Sequence, residues 1–185
     1  MVLRVGILPI GKVDPSILLR IEEDLTRILP ETTCKVIEEM LPLPEKAFDK
    51  TRNQYRSNFI LTLIQAYASK RKDTNRILGV TDVDIFVPEL NFVFGEAALQ
   101  GKAALISLWR LKPEFNGSPP DTGVLAERSL KEAVHELGHT LGLRHCPRSS
   151  CVMHFSNSVF DTDRKKSLFC DDCYIQASIA IDSLK

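Results

Sequence analysis

The sequence has no surplus of charge: 24 lysines and arginines balance 24 aspartates and glutamates in 185 residues. Such a chain gives no electrostatic reason to expect nucleic acid or an anionic membrane as a partner. It also lacks any apolar run near the ~20 residues that cross a bilayer. The opening MVLRVGILPIGK turns too early to read as a secretory leader, so a buried strand and a cytoplasmic monomer are expected. No repeat and no low-complexity stretch interrupts the chain. What remains is ordinary globular composition, 44% hydrophobic and 26% charged, in a length that suits one domain over residues 1–185.

The distribution of metal-binding residue types is far from even. Cys34 stands alone, while Cys146, Cys151, Cys170 and Cys173 crowd the last third. The four histidines, at 135, 139, 145 and 154, fall in the same region. In a reducing compartment such cysteines are metal ligands more often than disulfides.

Residues 2–10 form an apolar run ending in Pro-Ile-Gly, which predicts a strand. Asp14 as N-cap, Pro15 at the first helical position and apolar residues at 17, 18, 21, 25 and 28 predict a helix over 15–29. Residues 33–40 follow as a strand, 52–71 as an amphipathic helix, 76–87 as a strand or bulged strand, and 103–111 as another strand. Three prolines and two glycines make 113–123 a loop. A helix over 123–142 and a last one over 173–184 complete the reading. This order predicts an α/β (α+β) fold with a mixed sheet: sheet and helices over about 1–122, and a segment organised by metal over about 123–185.

The segment HELGHTLGLRH carries the chemistry. His135 and His139, four apart on a helix, project from one face about 6 Å apart and can share a zinc ion. Glu136 is the next residue round the helix and can reach a water held on the metal. Zinc lowers the pKa of that water to about 7, and the carboxylate can take its proton as the water attacks a carbonyl. A third ligand on the same helix face would leave the donors collinear. Gly142 can end the helix with positive φ and return His145 to the metal three residues later. A bare HExxH also arises by chance among satisfied core histidines, but Gly142, His145 and then Met153 together lower that reading sharply. Met153 is expected to pack its thioether under the ligand rings as the floor of the site.

Cys146 and Cys151, with Cys170 and Cys173, are two close pairs separated by a loop, as in a closed tetrahedral structural zinc site. Neighbouring side chains in an extended segment point opposite ways. His145 can therefore face one metal while Cys146 faces another. Cys146 and His154 remain rivals for the third catalytic position, and the spacing from Gly142 favours His145. Cys34, in TTCKVIE, reads as a buried apolar residue.

Residues 135–173 resemble the metzincin clan of zinc peptidases and, within it, the archaemetzincins. The likeness rests on HELGHTLGLRH, the cysteines at 146 and 151, Met153 and the later FCDDC, with weaker support from GILPIG and GVTDVDIFVPELNFVFGEA. It implies a compact domain with a mixed twisted sheet, a backing helix and an active-site helix. It also implies two zinc ions, one catalytic on His135, His139 and His145, and one structural on the four cysteines. The activity implied is hydrolysis of peptides or proteins with Glu136 as general base. By the same resemblance an edge strand above the active-site helix pairs with extended substrate. Asn91, Phe92, Val93, Phe94 and Gly95 are the candidates for it. The other reading is a catalytically weak or inactive zinc-binding module that binds peptides or partners.

Overall fold

The chain alternates strands and helices because apolar runs of strand length are separated by capped amphipathic stretches. The computed structural model describes residues 2–184. The elements are β1 (Leu3–Ile10), α1 (Pro15–Ile28), β2 (Thr32–Val36), β3 (Phe48–Asp49), β4 (Gln54–Arg56), α2 (Ser57–Lys70), β5 (Arg76–Thr81), β6 (Ile85–Phe86), β7 (Gly95–Ala97), β8 (Ala103–Ser107), α3 (Thr122–Thr140), α4 (Val159–Arg164) and α5 (Asp171–Asp182). Five strands form a mixed sheet in the order β2-β1-β5-β8-β7, parallel except for β7 at the edge. A small second sheet is ordered β3-β4-β6.

The main sheet is covered on both faces, so its inner strands are apolar at nearly every position. The period of two divides them cleanly. Leu3, Val5, Ile7, Leu78, Val80, Ala104 and Ile106 face α1, α3 and the C-terminal segment. Leu8, Ile10, Ile77, Ala103 and Leu105 face α2. The sequence-predicted α/β architecture with a mixed sheet is thus the one present. In α1 the Asp14 carboxylate accepts the Ser16 amide at 2.9 Å, Pro15 opens the helix, and Ile17, Leu18, Ile21 and Leu25 bury. Among the described residues no helix is long and apolar enough to cross a membrane.

Several elements differ from the sequence expectation, most of them through a nonlocal contact. The strand expected over 33–40 ends at Val36, and Leu41 then returns for a single bridge to Ile10. The helix expected from 52 starts at Ser57, because 54–56 pair with β6 and the Tyr55 amide donates to the Asp84 carbonyl. The run 76–87 splits at Asp82 and Asp84, whose carboxylates are held by Lys112 and Arg110 as the chain crosses to the second sheet. The strand expected over 103–111 stops at Ser107, and a turn brings the Leu111 amide to the Leu108 carbonyl. A short helix, α4, occupies part of the tail where the sequence predicts none.

One contact ties the sheet to the end of α3. Arg76, at the start of β5, is 8% exposed. Its Nε donates to Thr140 Oγ1 at 3.1 Å and its Nη2 to the Thr140 carbonyl at 3.2 Å. Removing it by Arg76→Met leaves a last-turn carbonyl of α3 without this donor. The expected cost is about 2 kcal/mol, from the usual value of hydrogen bonds to charged groups. A thermal melt checks this, and an unshifted midpoint would mean that the clamp contributes nothing.

Candidate metal centres

The helix α3 is buried along most of its length, and Asp121 caps it by accepting the Val124 amide at 3.0 Å. His135 and His139 sit one turn apart on it. The His135 Nδ1 lies 2.8 Å from the Val152 carbonyl and the His139 Nδ1 lies 2.7 Å from the Leu143 carbonyl. A carbonyl only accepts, so each Nδ1 carries the proton and each Nε2 presents its lone pair. These two Nε2 atoms are 3.1 Å apart. Two nitrogens bound to one zinc at ~2.0–2.1 Å stand roughly 3.3 Å apart in tetrahedral geometry.

The third donor arrives through the turn that ends the helix. Gly142 has φ 93°, the left-handed region that favours glycine. The Leu143 amide bonds back to the Gly138 carbonyl at 3.0 Å and the Gly142 amide to the His139 carbonyl at 2.9 Å, a Schellman ending. The His145 ring then comes to 5.3 Å from that of His135 and 5.0 Å from that of His139, centroid to centroid. One nitrogen from each of the three rings lies within 4.8 Å of the others. The fit to a single metal ion is good. His154 is not in this cluster; its Nδ1 lies 3.0 Å from the Cys146 carbonyl.

Met153 is fully buried beneath the helix. A side chain at Gly138 would meet its sulfur at 2.5 Å, so glycine allows the floor to approach this closely. Glu136 is 6% exposed. Burial raises its pKa well above the ordinary carboxylate value, and the nearby charge of Glu132 adds to this while Lys165 opposes it. Gly95 in β7 packs directly on Glu136: an added Cβ there would lie 2.6 Å from Glu136 Cγ and 2.6 Å from the Leu105 carbonyl oxygen. Only a residue without a side chain fits between the sheet edge and this carboxylate.

A cleft of about 370 Å³ runs past these groups. Asn91, Phe92, Val93, Phe94 and Gly95 all line it, but only Gly95 belongs to the edge strand, which spans Gly95–Ala97. Residues 91–94 form a wall instead. The Asn91 carbonyl accepts from Arg52 and Gln54, and the Val93 amide donates to the Ile85 carbonyl. The β7–β8 ladder bonds Phe94 to Ser107 and Ala98 to Ala103. Alternation along an antiparallel pair therefore turns the N–H and C=O of Gly95 and Ala97 away from β8. Phe155, whose ring lies 5.0 Å from that of His145, completes the opposite rim. Sequence reading does not find Glu132 or Phe155. The signal for Glu132 is its place one turn before Glu136 on the same helix face.

The sulfurs of Cys146, Cys151, Cys170 and Cys173 form a second cluster, all within 4.8 Å of one another. Four sulfurs bound to one zinc at ~2.3 Å stand roughly 3.8 Å apart. The Cys146 and Cys170 sulfurs are 3.8 Å apart. The donor set thus fits a closed thiolate site. Cys34 lies apart from it in β2, and burial pushes its thiol up to about 11.

Residues 13–178 match the model of peptidase family M54. The chain is 43% identical over 173 residues to the archaemetzincin of Methanocaldococcus jannaschii, covering 94% of this chain and 92% of that one. It is 44% identical over 170 residues to the archaemetzincin of Pyrococcus furiosus, with 90% and 88% covered. Among solved structures, the archaemetzincin of Methanopyrus kandleri superposes with a TM-score of 0.84 at 35% identity, covering 98% and 96% of the two chains. A zinc-dependent peptidase of Methanocorpusculum labreanum gives 0.85 at 29% identity, covering 94% and 99%.

The buried site sets a pH dependence of opposite signs. Burial lowers the pKa of His135, His139 and His145 from 6.5, so below that value the unfolded chain takes up protons more readily and stability falls with pH. The raised pKa of Glu136 acts the other way, because the folded chain binds its proton first as pH falls. For metal-free protein moved from about pH 7.5 to about pH 5.5, the loss of stability is expected to be larger in Glu136→Gln than in the natural sequence. Urea midpoints measure it, and equal losses would refute the assignment.

Proposed function

Because the chain belongs to peptidase family M54 and is a zinc-dependent peptidase of the archaemetzincin kind, we propose that Glu136 is its general base and that His135, His139 and His145 hold its catalytic zinc. The observation that carries this reading is the convergence of three histidine donors beside a buried glutamate that opens onto a sheet edge. When bound there, zinc supplies a Lewis acid that polarises the scissile carbonyl and acidifies water. The chain's own residues do the rest. Gly95 and Ala97 offer outward N–H and C=O groups that an extended peptide can pair with as an added strand. Asn91, Phe92, Val93 and Phe94 wall the cleft beside it and Met153 floors the histidines. Glu136 takes a proton from the attacking water and returns it to the departing amine. The four cysteines, Cys146, Cys151, Cys170 and Cys173, hold a second zinc that braces the tail, which makes two zinc ions per chain.

Replacing the base tests this directly. Glu136→Ala is expected to lower peptide turnover on the order of 10²–10⁴-fold while both zinc ions stay bound. Gly95→Ala, which alters no metal ligand, is expected to cost up to ~10²-fold by displacing the Glu136 carboxylate. If the zinc-loaded chain and Glu136→Ala are equally silent over a broad peptide library, the non-catalytic zinc module becomes the better reading.

Metal analysis gives a second check. Two zinc ions per chain are expected, and the one on the partly exposed histidines should leave first under a chelator. A count of one would remove one of the two sites.

A further inference from the structure

We propose that Lys165, acting through Glu132, is a positioning residue for the peptidase reaction, a proposal that rests on the reading of the histidine cluster as the hydrolytic centre. The Lys165 side chain has no exposed surface, and its ammonium lies 3.0 Å from Glu132 Oε1. It also lies 3.4 Å from the His154 carbonyl. Glu132 accepts the Thr162 hydroxyl on the same oxygen at 2.9 Å, and its side chain is 4% exposed at the wall of the cleft. One buried cation therefore touches the turn of α3 before Glu136 and the segment that follows Met153.

That segment matters to the metal ligands. The Val152 carbonyl fixes the His135 ring, and the Cys146 amide donates to the Met153 carbonyl at 2.9 Å. Lys165 holds the next carbonyl along. Glu132 stands three residues before His135 and four before Glu136, so all three share one helix face.

Buried ion pairs are poor stabilisers, since well-packed apolar groups of similar size often serve as well. Docking of α4 on α3 does not need this pair either. Arg128 grips the Asp163 carboxylate at 2.7 and 2.8 Å, and Lys131 reaches the Asp163 carbonyl at 3.1 Å. The Thr162 hydroxyl already bonds α4 to Glu132, but none of these contacts supplies an ion pair to Glu132 or a bond to the His154 carbonyl. The Lys165 ammonium makes both, and its role is to fix the floor segment relative to the active-site helix.

The test compares Lys165→Met, Glu132→Gln and the double variant Lys165→Met with Glu132→Met, each as full-length zinc-loaded chain. Three quantities are read: the melting midpoint, zinc kept by the histidine site against a graded chelator, and kcat with KM on a peptide substrate. Lys165→Met is expected to weaken zinc retention roughly 10–100-fold, the usual effect of losing a supporting partner behind metal ligands. Its kcat should fall by a similar factor, with KM little changed. The double variant leaves no unpaired buried charge and should melt near the natural protein while keeping both defects. Full recovery of zinc retention and kcat in the double variant would overturn the proposal, because the pair would then serve only the fold. Unchanged zinc retention and turnover in Lys165→Met would overturn it as well. If Lys165→Met does not fold, the double variant decides. If the natural chain cleaves no peptide, it is the peptidase reading that fails, and zinc retention still decides the role of Lys165.

Discussion

The carbonyl oxygens of Val152 and Leu143 can only accept, so the histidine nitrogens that reach them must carry protons and the opposite nitrogens must offer lone pairs. Much of the structure around α3 serves to bring those two oxygens into place. Leu143 is there because Gly142 takes a left-handed conformation and bends the chain back over the last turn. Val152 is there because the segment carrying it is tied on both sides. Its own amide donates to the Leu168 carbonyl, and the neighbouring Cys151 belongs to the sulfur cluster. The sheet contributes at a distance, through Arg76 at the end of α3 and through the edge strand that stops against Glu136.

This arrangement explains why the histidine motif was readable in the sequence while its surroundings were not. The spacings in HELGHTLGLRH are local, and helix geometry alone puts His135 and His139 together. One positive-φ residue then suffices to recover His145. The cysteine pairs are short-range too, and so is the cap Asp14-Pro15 that announces α1. Residues 54–56 are different. Their sequence suits a helix start, and only pairing with Ile85 and Phe86 makes them a strand. The wall at 91–94 likewise depends on Arg52 and Gln54, almost forty residues earlier. The helix α4 did leave a local trace, since Ser158 and Asp161 form a capping box, but six residues carry little periodicity. Nothing local marks Lys165 as buried or Glu132 as its partner.

The two donor clusters are linked through the chain rather than through space alone. His145 and Cys146 are consecutive, so a thiolate site that immobilises Cys146 restricts the backbone that delivers the third histidine. The Cys146 amide donates to the Met153 carbonyl, which joins the same restriction to the floor. Metal binding contributes folding free energy where no preformed site exists in the unfolded chain. In the proposed reading a structural zinc thus acts on the hydrolytic site by ordering it.

Burial alone favours neutral histidines and a protonated Glu136. Neutral histidines are what a cation needs, but a protonated glutamate is not what a base needs. A bound divalent cation is the largest local charge in such a site and reverses the local pKa logic. In the proposed reading, an ion held by the histidine lone pairs would favour the ionised form of Glu136, and its binding would release protons. Glu132 works against that ionisation, being a second carboxylate one turn away on the same face. The ammonium of Lys165 offsets it from behind, buried and 3.0 Å from Glu132. A carboxylate so close to Glu136 is tolerable only with such a counter-charge. The pair thus places two oppositely charged groups where neither could stand alone.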